Sequence, residues 1–205
     1  MKMILKNALL AATLFATAAG FTGCLIPCLC PLFEEKNASF EPSLLGMWVK
    51  DGETFEFTKV QDKKEYRITN TGKDGNSKAT LSAWLGKIGD KSYLCAVLDP
   101  EALPDSGRWF ACPGHVLIFR VVQTAPELKV VMLDFAACKK LLKDKPDAVA
   151  HVMLKQEEAE EKNAIPFLTA STANLQKFIA EYGDKAGLFP ENQTMTFTRP
   201  VAEEK

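Results

Sequence analysis

The sequence is short of what most catalytic and nucleic-acid-binding proteins display. It holds two histidines, His115 and His151, in 205 residues, and no G-x-S-x-G, phosphate-loop or dinucleotide fingerprint. Cys112 and His115 have the spacing of half a zinc site, but zinc needs four ligands and no second pair stands at suitable spacing. The same pair has no marked orienting acid or oxyanion hole, so a nucleophilic role lacks support. No catalytic residue, metal ligand or dissociable cofactor is assigned, and a non-enzymatic function is expected. A surplus of positive charge is also missing. The formal net charge is -1; without Lys2 and Lys6, 23 basic residues face 26 acidic ones, which gives no electrostatic ground for binding nucleic acid. The six cysteines are too unevenly spread for a dense disulfide framework.

What is present begins with an export signal. Lys2 and Lys6 precede an apolar stretch, Ala8 to Thr22, of about 15 residues, shorter than the roughly 20 that a bilayer-spanning helix needs. From Pro31 to Pro42 the chain is polar, proline-bounded and without periodicity, and reads as a tether. From Cys24 to Ser43, fully extended, it would reach about 60 Å at roughly 3.3 Å per residue.

Beyond it the apolar pattern is that of strands. Asp51-Gly52, the dipeptide favoured in a two-residue type I′ hairpin, separates Trp48–Lys50 from Thr54–Val60. In the second of these, Phe55 and Phe57 share a face. Further strands are expected at Glu65–Thr69, Lys78–Ile88, Ser92–Leu98, His115–Gln123 and Glu127–Asp134. The last two are apolar on both faces, so a cover is expected outside the sheet. Asp134 can cap a helix from Phe135 to Lys143, and Pro146 fits the start of a second through Met153. The acidic run Glu157 to Lys162 reads as a solvated loop. Ser171 or Thr172 starts a helix with Leu175, Phe178, Ile179 and Tyr182 on one stripe, and Gly183 marks its stop. Thr194–Arg199 is a late strand. Seven sequential strands, two or three short helices and one returning strand make a mainly β protein: an up-and-down antiparallel meander closing into a barrel, the last strand beside the first. An open sheet backed by the helices is the alternative.

Three resemblances add to this. Phe21-Thr22-Gly23-Cys24 resembles the lipobox of bacterial lipoproteins, which implies that Cys24 becomes the lipidated N-terminus, carrying palmitate-type chains; an ordinary cleaved signal is the alternative. Two or three such chains make a stable membrane anchor. Leu25, in place of the Asp of an inner-membrane signal, implies the outer membrane of a Gram-negative cell, on its periplasmic side or at the cell surface. Gly46-Met47-Trp48 resembles the G-x-W of lipocalins and related calycin barrels, where the Trp closes the barrel base and a late Arg lies over its indole. Arg199 is the matching candidate. The succession LLGMW, LSAWLGKIGD, PGHVLIFRVVQ and LTASTANLQKFI resembles a group of uncharacterised bacterial lipoproteins, from which no activity follows.

The resulting organisation is a signal peptide at 1–23, a lipidated tether at 24–43, one barrel domain at 44–200 with a helical insertion at about 135–183, and a tail at 201–205. Cys95 and Cys112 flank the longest loop and could pair if their Cα atoms approach within about 7 Å. Cys28 and Cys30 are acylated, paired elsewhere or free. The long loop carries Trp109 and Phe110, which either fold onto the barrel as core or gate a cavity, with Trp84 as a further candidate ligand contact. A small apolar or amphipathic ligand in the barrel, or an envelope partner at the surface of a filled one, are the two expected modes of action.

Overall fold

A computed structural model describes residues 26, 28–76, 78–98, 116–154 and 164–200. Ten strands and two α-helices appear among them: β1 (Gly46–Lys50), β2 (Glu53–Lys59), β3 (Glu65–Thr71), β4 (Lys78–Ile88), β5 (Lys91–Leu98), β6 (Val116–Gln123), β7 (Leu128–Met132), α1 (Phe135–Asp144), β8 (His151–Leu154), β9 (Ile165–Leu168), α2 (Thr172–Tyr182) and β10 (Met195–Phe197). β1 to β7 pair in sequence order, each antiparallel to the next, and β10 joins β7. Val49 and Thr198 exchange backbone hydrogen bonds of 2.8 and 3.0 Å, bringing the last strand to the first. The sheet is thereby an eight-stranded antiparallel meander nearly closed into a barrel, the expected fold class.

Local chemistry accounts for the elements. Asp51 and Gly52 both have positive φ, 52° and 82°, as a type I′ turn requires. Asp134 accepts from the Ala137 amide at 2.6 Å and caps α1, and Ser171 accepts from the Asn174 amide to cap α2.

Strand alternation divides the apolar residues between two cores. The barrel interior holds Trp48, Phe57, Tyr66, Ile68, Leu81, Ala83, Leu85, Leu94, Ala96, Val121, Leu128 and Val130. The opposite faces of β5, β6 and β7 present Tyr93, Cys95, Val116, Ile118 and Val131 to a second core, completed by Cys138, Leu141 and Leu142 of α1 and Leu175, Phe178 and Ile179 of α2. This is the cover that the doubly apolar strands call for. Arg120 locks it in place: its guanidinium pairs with Asp184 at 2.9 Å and donates to the Phe189 carbonyl at 2.6 Å.

Two expectations are corrected. The segment 28–43 is not a free tether: Cys28, Leu32, Phe33 and Ala38 are buried, Cys28 bridges Leu168 of β9, and Ser39 bridges Leu85 of β4. The Phe33 ring packs against Gly86, where an added Cβ would stand 2.4 Å from ring carbons. Ile26 is buried in the same core. The segment fills the gap between the sheet's outer face and the helices, an irregular packing task that leaves no periodic trace. The second correction concerns Pro146. It opens a single 3-10 turn, Pro146–Ala148, after which the chain extends as β8 and pairs with β9. The insertion after β7 is therefore two helices with a small two-stranded sheet between them.

Candidate functional site

The two ends of the barrel differ. The lower end gathers the β2–β3, β4–β5 and β6–β7 turns and the 3-10 turn Pro42–Leu44. There Leu44, Trp48 and Tyr66 are fully buried. The Trp48 indole donates to the Leu44 carbonyl at 2.8 Å, and the Tyr66 hydroxyl accepts from the Glu41 amide at 2.6 Å. Arg199 spans this end from outside. Its guanidinium carbon lies 3.6 Å from the Trp48 ring centroid, and its nitrogens donate to the carbonyls of Ser43 (2.8 Å), Leu45 (2.8 Å) and Met47 (3.2 Å). Gly46 has φ of 95°, and a Cβ there would meet Arg199 Nη1 at 3.1 Å. The positive φ calls for glycine, and the close approach of Arg199 makes a side chain there still less favourable. Gly46, Trp48 and Arg199 thus form one clamp on the entry of the chain into the barrel.

The upper end gathers the Asp51-Gly52 turn, the Gly72–Asn76 turn and the paired ends of β5 and β6, where Val97 faces Val116. Inner-face residues towards this end remain partly exposed although they point into the barrel: Phe55, Ala79, Leu117, Phe119 and Met195. Phe197 is also partly exposed and meets Phe55 edge-on at 5.1 Å. Buried and partly exposed apolar side chains thus share the inner wall, Phe55 lying directly across from fully buried Trp48. One polar pair interrupts this wall. Glu53 and Asn70, 3% and 2% exposed, are the buried polar side chains among the described residues, and Asn70 Nδ2 donates to Glu53 Oε2 at 3.3 Å.

Sequence reasoning did not single out Glu53 or Asn70, although the parity that turns Phe55 and Phe57 inward also turns Glu53 inward. Trp84 stands on the other face of β4 from Ala83 and Leu85 and packs into the outer core beneath the helices, so it is no part of the inner wall. Cys24, Trp109, Phe110, Cys112, His115 and the acidic run 157–162 lie outside the described residues. His151 donates from its ring to the Val149 carbonyl at 2.9 Å. Among the described residues no group of three His, Cys, Asp or Glu is placed to hold a metal ion, and no helix is long and apolar enough to cross a membrane.

Cys28, Cys95 and Cys138 are buried free thiols of the outer core, and Cys30 is a half-buried one. Cys95 Sγ accepts from the Leu32 amide at 3.2 Å, tying the N-terminal segment to β5. Burial pushes the Cys95 thiol up to about 11 and Cys138 to about 12, and raises Cys28 as well, because a thiolate loses its hydration there. Since the thiolate is the reactive form, brief iodoacetamide treatment of the native protein at pH 8, mapped by mass spectrometry, is expected to label Cys30 and spare these three. Equal labelling of Cys28 or Cys95 would contradict their burial. In the unfolded chain the thiols ionise near the ordinary 9.0, so above that pH the native state holds more protons. The stability present below pH 9 is then expected to fall as pH rises through 9 towards 11, read from urea midpoints.

No family model matches the chain, and neither a curated protein nor a solved structure gives a significant match. The molecule is described by its own geometry: a nearly closed antiparallel barrel, sealed at one end by a Trp–Arg clamp and covered on one side by helices, a fold that can hold a ligand.

Proposed function

We propose that this is a lipid-anchored envelope protein that binds one small apolar or amphipathic molecule in its barrel. The observation that carries the reading is apolar inner surface that packing leaves partly exposed. Alongside the fully buried Trp48 and Tyr66, the same inner wall carries partly exposed Phe55, Leu117, Phe119 and Met195. Eight strands enclose an interior that side chains can just fill or that holds one small ligand. Apolar inner surface left unfilled favours the second, because covering it with a ligand gains about 25 cal/mol per Å².

The lipidated Cys24 and the outer-membrane address rest on the lipobox resemblance. The fold adds one consequence to them. Cys28 is fixed beside β9, and four residues span at most about 14 Å. A lipid on Cys24 would hold the domain against the bilayer, not some 60 Å above it. A second reading, action on an envelope partner through the surface, is favoured by β8, the outer strand of the small sheet, whose Val152, Met153 and Leu154 are exposed.

Mass spectrometry of solvent extracts from the purified protein separates the two readings. A stoichiometric co-purified amphiphile is expected for a carrier, and its consistent absence would favour the surface reading. The anchor is tested apart from this. Cys24→Ser is expected to move the exported, processed protein from the membrane to the soluble fraction, and persistence in the membrane would sink the lipidation claim.

A further inference from the structure

The small sheet beside the barrel carries apolar surface on the side turned away from the core. β9 alternates: Pro166 and Leu168 are buried, while Ile165 and Phe167 are half-buried. Cross-strand partners share a face, so the pairing of Val152 with Phe167 and of Leu154 with Ile165 puts four apolar side chains on the outer one. Val152 and Leu154 are 46% and 48% exposed. Leu29, also exposed, stands at the other edge of β9, its amide donating to the Leu168 carbonyl at 2.8 Å. Of the six large apolar side chains exposed among the described residues, Leu29, Val152, Met153 and Leu154 belong to this one place, and exposed apolar surface that is gathered rather than scattered marks a contact site. The connection 155–163 between the two strands holds one apolar residue, Ala159, among nine, and so offers nothing apolar to lay over them. A strand added to the outer edge of β8 would pair with its backbone groups and leave the outer face bare.

We infer that the outer face of β8 and β9, with Leu29, is the surface on which the protein seats itself on a lipid bilayer. The route of the chain selects lipid over other occupants. Cys28 bridges Leu168 of β9, neighbouring strands lie about 4.8 Å apart, and the four residues back to Cys24 span at most about 14 Å. An acylated Cys24 enters the bilayer no farther than that from the edge of the patch, and the apolar face beside it meets the same lipid. This rests on the anchor reading and deepens it: the anchor sets the distance to the membrane, and the face sets which side of the domain turns towards it. Leu168 packs in the outer core with Cys95 of β5 and Ile118 of β6, so the helix-covered side of the barrel faces the bilayer, and β2, four strands from β6 in the sheet, faces away. The backbone groups at the outer edge of β8 keep the sheet at the level of the headgroups, where water still reaches them. The contact is apolar and calls for no anionic lipid.

The test uses the exported, lipidated protein reconstituted into vesicles of phosphatidylcholine brominated on its acyl chains, a lipid that quenches tryptophan only at close range. Val152→Trp adds an emitter on the proposed face, and Glu56→Trp adds one on the exposed outer face of β2. Both positions are exposed, so neither substitution disturbs a core. Emission beyond that of the wild type is expected to fall at least about twofold in Val152→Trp, for a face lying about 5–10 Å into the boundary of headgroups and acyl chains, and to stay unchanged in Glu56→Trp. Vesicle-bound protein whose Val152→Trp emission is unquenched, or is quenched no more than that of Glu56→Trp, overturns the seating face and leaves the anchor standing. A wild type that carries no lipid and stays off the vesicles sinks the anchor reading, and the seating with it. Sedimentation of Cys24→Ser tests a second copy as the occupant: a monomer is expected, and a dimer that Val152→Asp dissociates would give the face to a partner copy and overturn the proposal.

Discussion

Trp48→Ala is expected to lower the unfolding free energy by about 3–5 kcal/mol, the range for emptying a fully buried Trp site. The side chain is fully buried at the lower end of the barrel. Its loss removes the indole bond to the Leu44 carbonyl and the aromatic face beneath the Arg199 guanidinium, a contact worth roughly 0.5–2 kcal/mol. Arg199 would then hold three carbonyls of the entering chain across a cavity. Since small domains carry only about 5–15 kcal/mol in total, the variant should unfold at much lower urea. Arg199→Lys separates the terms. A lysine cannot fork to three carbonyls or stack flat on the ring, so it should cost about 1–3 kcal/mol while the indole remains buried. A loss below about 1 kcal/mol in Trp48→Ala, measured by urea unfolding, would mean that the clamp does not hold the barrel together.

The second large effect is expected at Gly86, on the outer face of β4. A side chain there cannot coexist with Phe33, since a Cβ would lie 2.4 Å from the ring. Gly86→Val should expel Phe33 from its site and cost about 3–5 kcal/mol, the range expected for Phe33→Ala by deletion. The two substitutions act on one contact, so the double variant should be little worse than either alone. Proteolysis should report the same event. In wild type the chain from Cys28 to Ala38 is protected by Leu32 and Phe33 and by the bonds from Thr172 and Gln176 of α2 to the carbonyls of Pro31 (2.7 Å) and Leu32 (2.9 Å). In Gly86→Val it should be cut early. Equally early cutting in both proteins would restore the view of this segment as a tether, and equal resistance would mean that Gly86→Val does not expel Phe33.

These two sites also mark what the sequence reveals and what it hides. The meander is legible because each strand of a half-buried sheet alternates, and because Asp51-Gly52 and Gly89-Asp90 carry turn chemistry of their own. Both helix caps, Asp134 and Ser171, are legible for the same local reason. The stacking of Arg199 on Trp48 was visible as a resemblance, and geometry then gives it a cause in the positive φ of Gly46. Hidden features are those whose partners are remote. Ile26, Cys28, Leu32 and Phe33 follow no period because they fill an irregular seam against β5 and the helices. The small sheet leaves little trace in the sequence because His151–Leu154 and Ile165–Leu168 are only four residues each, and Pro146 opens a turn at a position that also suits the start of a helix. Trp84, a candidate ligand contact by sequence, alternates with Ala83 and Leu85, which take the barrel interior, and so faces the outer core. Glu53 was hidden by its neighbours: among Thr54, Glu56 and Thr58 it reads as one more polar residue, and only its parity with Phe55 turns it inward.

That inward wall makes the occupied barrel testable by one fluorescence measurement. In a Trp84→Phe, Trp109→Phe variant Trp48 is the remaining emitter, on the inner wall beside its cross-strand partner Phe55. Titration with 12-bromo-1-dodecanol, whose bromine quenches only at close range, should reduce its emission saturably at one molecule per barrel, and unbrominated dodecanol should compete. Emission that stays unquenched, or falls linearly without saturation, would contradict the claim that a ligand enters this barrel.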